Sequence, residues 1–115
     1  MIYEGKDIKL ETSYWQPETG GAKNTYMYLL KFLIVEYSTD KDLRIQLETI
    51  VKESQRFIFY DLPANKKRMK IKLPIGITAQ KWKISIYNIS EKPTAVELQY
   101  IGILGTPIPI GDRLR

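Results

Sequence analysis

Most enzyme chemistry at neutral pH starts from a histidine or a cysteine, and this 115-residue sequence contains neither. Their absence removes the side chain that titrates nearest neutrality, the thiolate nucleophile, every disulfide and the commonest zinc ligands. A serine or threonine nucleophile would then depend on lysine or a carboxylate as its base. Among the 13 acids, Glu36, Asp61 and Glu97 fall on separate predicted strands, and no spacing pairs two of them for acid and base work. Gly102-Ile103-Leu104-Gly105 matches neither glycine pattern that cradles phosphates, and no helix is expected after it. The expectation is a protein with no catalytic residues, no cofactor and no metal site.

Binding chemistry offers more. Lys66, Lys67, Arg68, Lys70, Lys72, Lys81 and Lys83 crowd into one stretch of the chain. If residues 69–73 pair with residues 81–86, four of these lysines share one outward face near Tyr87. Such a face could meet the phosphates of a nucleic acid, or could simply blunt an exposed sheet against aggregation. Trp15 and Trp82, among eight tyrosines, raise the alternative of a stacking platform for carbohydrate. Trp82 alternates with core positions and is expected inside, which leaves Trp15 as the tryptophan expected at the surface. A third surface is the segment 105–115, carrying Pro107, Ile108, Pro109, Ile110 and Leu114. Prolines at alternate positions cannot join the middle of a sheet and favour an extended, stiff arm. Its apolar side chains would gain by docking on a neighbouring subunit or by folding back over their own domain.

The elements that must position these residues read as strands. Ile8, Leu10, Thr12 and Tyr14 alternate with Lys9, Glu11 and Ser13, and a turn-forming stretch over residues 16–24 follows. From Tyr26 to Tyr37 both faces are apolar, as in a central strand, and this is the expected core. Leu43, Ile45, Leu47, Thr49 and Val51 alternate as a strand does, yet Leu43, Leu47, Ile50 and Val51 also sit at helical spacing behind Asp40 and Asp42 as caps. Residues 43–54 are therefore strand or short helix, with flanking strands favouring the former. Phe57 to Tyr60, Met69 to Leu73, Trp82 to Ile86 and Val96 to about Leu104 complete the set. The pattern predicts an all-β, two-sheet antiparallel β-sandwich, Ig-like or jelly-roll-like, of about six to eight strands. Residues 1–104 form its single domain, and residues 105–115 leave it as an extended C-terminal arm.

Composition agrees with one globular domain: 43% of the residues are hydrophobic, 27% are charged and the net charge is +5. The opening residues mix charges of both signs with no apolar stretch behind them, so folding in the cytoplasm is expected rather than secretion. No stretch is long and apolar enough for a membrane-spanning helix.

The stretch from Lys23 through Gly105 resembles the small β-sandwich modules of tailed-bacteriophage structural proteins found in head-tail and tail components. The likeness is one of strand rhythm, carried by Phe32-Leu33-Ile34-Val35-Glu36-Tyr37-Ser38, Leu43-Arg44-Ile45-Gln46-Leu47, Arg68 to Pro74, Lys81-Trp82-Lys83-Ile84-Ser85-Ile86 and Ala95 to Ile101. It implies a non-enzymatic adaptor or stabiliser, partnered by copies of itself and by other structural proteins, and incorporated in a virion.

Overall fold

The computed structural model describes residues 2–5, 8–15, 26–65 and 67–109. They form nine strands: β1 (Ile2–Gly5), β2 (Lys9–Glu11), β3 (Tyr26–Thr39), β4 (Leu43–Val51), β5 (Ser54–Leu62), β6 (Arg68–Lys72), β7 (Thr78–Ala79), β8 (Lys81–Asn88) and β9 (Thr94–Pro109). Every pairing is antiparallel. One sheet runs β1-β9-β3-β6, with the short β7 also on β3, and the other runs β2-β8-β4-β5. The expected two-sheet all-β architecture is present.

Alternation sets which side chains meet between the sheets. Leu33, Val35 and Tyr37 of β3 face Leu43, Ile45 and Leu47 of β4, all fully buried, with Ile84 and Ile86 of β8 and Val96 of β9 closing the layer. Each of these aliphatic side chains contributes about 1.5–3 kcal/mol by leaving water. Tyr37 is buried whole and still satisfies its hydroxyl, which donates to the Pro63 carbonyl at 2.8 Å. Burial pushes the Tyr37 phenol above its ordinary value, with the nearby Asp42 charge adding to the effect.

Residues 43–54 resolve in favour of the strand. Leu43–Val51 pairs without a break with β5 on one side, and Leu43 to Ile50 pairs with β8 on the other, so both sets of backbone groups are satisfied in ladders. A helix there would have left β5 without a partner and β8 with only the short β2. Lys52 and Glu53 then turn the chain, Lys52 adopting a left-handed φ of 56°.

The segment after Leu104 departs from expectation. Residues 105–109 do not leave the sandwich but continue β9 along β3, with Gly105 opposite Leu30, Pro107 opposite Tyr28 and Pro109 opposite Tyr26. Leu30 donates its N–H to Ile77 on the far side of β3 at 2.8 Å. By alternation Tyr28 and Tyr26 also turn their backbone groups away from β9, so prolines opposite them lose no ladder bond. Ile110 and Leu114 lie outside the described residues.

Two irregularities shape the β3–β9 ladder. An extra residue enters β3 at Lys31 and another enters β9 at Gln99. Both are bulges that sharpen local twist.

Candidate functional site

The clustered cations do not share a face. β6 pairs with β3, whereas β8 pairs with β4 and β2, so residues 69–73 and 81–86 belong to opposite sheets. Arg68, Lys70 and Lys72 line the outside of one sheet, and Lys81 and Lys83 line the outside of the other. Lys67 is exposed ahead of β6, and Lys66 lies outside the described residues. The pairing that would have gathered four lysines is ruled out by the topology.

On the β2-β8-β4-β5 sheet the outward residues neutralise one another. The Lys83 ammonium lies 3.1 Å from Glu11, which also holds Lys9 at 3.2 Å, and Arg44 reaches Asp61 at 3.2 Å. Tyr14 does not alternate inward as its spacing predicts. It turns outward, donates its hydroxyl to the buried Glu48 and sits beneath the ammonium groups of Lys81 and Lys83, which are 5.3 and 4.9 Å from the ring centre. The Lys83 hydrogen bond, followed by that of Lys9, holds Glu11 below the usual carboxylate range. Glu48 raises the Tyr14 phenol, and Glu11 raises Lys83. These shifts strengthen each group's resting protonation state, which is the reverse of what an acid or base catalyst needs at pH 7.

The tryptophans do not form a platform. Trp82 is buried as expected, but Trp15 is half-buried rather than exposed. Its backbone bridges to Trp82 and its ring meets that indole edge-on, 6.4 Å between centres at 74°. Tyr28 covers Trp82 at 5.3 Å. The chain's single Ser-x-x-Lys spacing, Ser38 to Lys41, falls at the β3–β4 turn, where Asp40 takes the Lys41 ammonium at 3.3 Å. Among the described residues no three acids gather where a metal ion could be held, and no helix is long and apolar enough to cross a membrane.

What remains are edges and faces. β5 is the outer strand of its sheet, in unbroken register with β4 over all nine residues. The Ile50 carbonyl accepts from Gln80 on the β8 side at 2.8 Å, so Ile50 turns its backbone groups away from β5. Its partner Gln55, and with it Phe57, Phe59 and Asp61, therefore direct N–H and C=O groups to the free side. No strand pairs there among the described residues. Phe57 and Phe59 are about half exposed, side by side on the outer face. The sequence marks this strand as aromatic on both faces, but its place at an edge depends on sheet order, which periodicity does not carry.

Two other free edges, those of β6 and of β9 beyond β1, are defended. β6 carries Arg68, Lys70 and Lys72, all exposed, and β9 is broken by the bulge at Gln99 and by Pro107 and Pro109. Charges, bulges and prolines are the devices that stop one sheet pairing with another. β5 has no lysine, proline or bulge, and its two charges, Arg56 and Asp61, flank an uncharged run from Phe57 to Tyr60.

The chain has no match among protein-family models, curated proteins or solved structures.

Proposed function

We propose that this chain is a non-catalytic structural protein that assembles with copies of itself through the free edge of β5, as a component of a larger particle of the tailed-phage virion kind. The carrying observation is the free edge around Phe57 to Tyr60: unbroken register over nine residues, no charge, proline or bulge within that run, outward-facing backbone groups at Phe57 and Phe59, and two exposed aromatic rings. Antiparallel pairing centred on Ile58 would set Phe57 of each copy opposite Phe59 of the other, and Gln55 opposite Asp61. Backbone bonds then supply the joint and the four rings supply its apolar cover, each aromatic pair adding about 0.2–1 kcal/mol. The virion setting rests on the resemblance in strand rhythm alone.

The test is sedimentation of the full chain over a concentration series, with Phe59→Pro and Phe57→Lys as variants. Proline at 59 removes an N–H that points to the free side and leaves the β4 ladder intact. Lysine at 57 guards the edge without touching the core. The expected result is a discrete oligomer for the parent chain and monomers for both variants, with unchanged far-ultraviolet circular dichroism. A parent chain that stays monomeric, or an oligomer indifferent to both substitutions, overturns the proposal.

A further inference from the structure

The outer face of the β1-β9-β3-β6 sheet is laid out as a grid. In register across β6, β3 and β9 run Lys72, Phe32 and Leu104, then Lys70, Ile34 and Gly102, then Arg68, Glu36 and Tyr100. Directly paired residues share a face, so all nine belong to one surface. One column is cationic, and its members alternate along β6 at a repeat of about 6.7 Å. Among the described residues none of the three makes an ion pair, unlike Lys9, Lys83 and Arg44 on the opposite sheet.

The other two columns carry rings. The Lys70 ammonium lies 4.4 Å from the centre of the Phe32 ring. Tyr100 is about half exposed. A β-carbon placed on Gly102 would lie 2.5 Å from the Tyr100 hydroxyl oxygen and 2.9 Å from the ring carbon bearing it. The outer half of the phenol therefore lies down over the bare glycine, and its other side is turned to solvent. Glycine here makes room for a ring laid along the sheet.

We infer that this face binds single-stranded nucleic acid, with the phosphate backbone along Arg68, Lys70 and Lys72 and bases resting on Tyr100 and the exposed part of Phe32. A row of cations beside flat aromatic surfaces is how single strands are held without reading sequence, stacking supplying affinity and each phosphate contact adding salt dependence. The one acid in the grid, Glu36, sits directly between Arg68 and Tyr100, so the phosphate row is least encumbered at Lys70 and Lys72. The surface is separate from the β5 edge, so self-assembly and nucleic-acid binding stand or fall independently.

The experiment is fluorescence anisotropy of a labelled oligothymidylate titrated with the full chain across a salt series. The parent chain is expected to bind at low salt, with a log–log salt slope of about −2 for three phosphates. Arg68→Gln, Lys70→Gln and Lys72→Gln together should weaken binding at least about tenfold and bring the slope towards zero. Tyr100→Ala should weaken it by about tenfold and leave the slope unchanged. Lys9→Gln with Lys83→Gln, on the far face, should leave binding as it was. All of these side chains reach solvent, and circular dichroism checks that each variant folds. No binding by the parent at low salt overturns the inference, as does equal weakening by the far-face pair. Loss with the triple variant but none with Tyr100→Ala would mark a surface for polyanions generally and overturn the nucleic-acid assignment.

Discussion

The backbone oxygen of Leu29 lies 2.6 Å from the point where a β-carbon on Gly105 would stand. The contact follows from the bulge at Lys31, which brings β3 and β9 together just where Leu30 faces Gly105. Glycine at 105 is therefore required by close backbone approach, for which no rotamer change can compensate.

Gly105→Ala should destabilise the fold by about 1–3 kcal/mol, the usual range for forcing extra volume into a packed site. Chemical denaturation would show it as a lower midpoint, and hydrogen exchange should speed up first over residues 105–109. Gly102→Ala is the control. There the added carbon meets only the far end of the exposed Tyr100 side chain, which can swing away, so the loss should be under half as large.

Lys52 holds a left-handed φ of 56° in the two-residue turn between β4 and β5, while its N–H donates to the Gln80 side chain at 2.6 Å. A side chain with a β-carbon pays about 1 kcal/mol or more to stay there, which glycine does not. Lys52→Gly should raise the thermal midpoint, with the hydrogen bond kept because it uses the backbone. Lys52→Val, branched at the β-carbon, should lower it.

Asp40 ties the β3–β4 turn to the start of β9. Its carboxylate accepts from the Ala95 N–H at 2.8 Å, and this bond, reinforced by Lys41, holds the carboxyl below its ordinary value. Because the folded state favours the charged form, the stabilisation is fully present above the ordinary carboxylate range and is lost as pH falls through the lowered value. Glu11, held low by Lys83 and Lys9, follows the same sign. Denaturation midpoints should therefore fall on acidification, and Asp40→Asn should flatten that fall. At the alkaline end the raised Lys83 and Tyr14 act oppositely, their contribution being complete below their ordinary values and lost as pH rises through the raised ones.

The class of fold was legible because alternation is local. Leu43 to Val51 looked ambiguous because Leu43, Leu47 and Val51 satisfy both periods and Ile50 adds to the helical one. Two neighbouring ladders, invisible in a linear pattern, decide it. Strand order was not legible: residues 69–73 and 81–86 have nearly the same rhythm of apolar residue and lysine, yet they enter different sheets. That one difference divided the lysine cluster and left the outer grid around Phe32 and Tyr100 unforeseen. Pro107 and Pro109 looked incompatible with a sheet because position in the ladder, rather than proline itself, decides whether an N–H is missed.

The ladder between β3 and β9 also sets an order of events. It joins residues 26–39 to residues 94–109, and β1 pairs with the same late strand, so the first sheet cannot be completed until β9 arrives. The β4–β5 hairpin closes over a two-residue turn and can form at once. Distant pairings of this kind make folding slow. Through that delay the aromatic edge of β5 and the apolar length of β3 stand open to other chains. Crowded synthesis at high temperature is thus the condition under which this protein should be lost to aggregates before it is lost to unfolding.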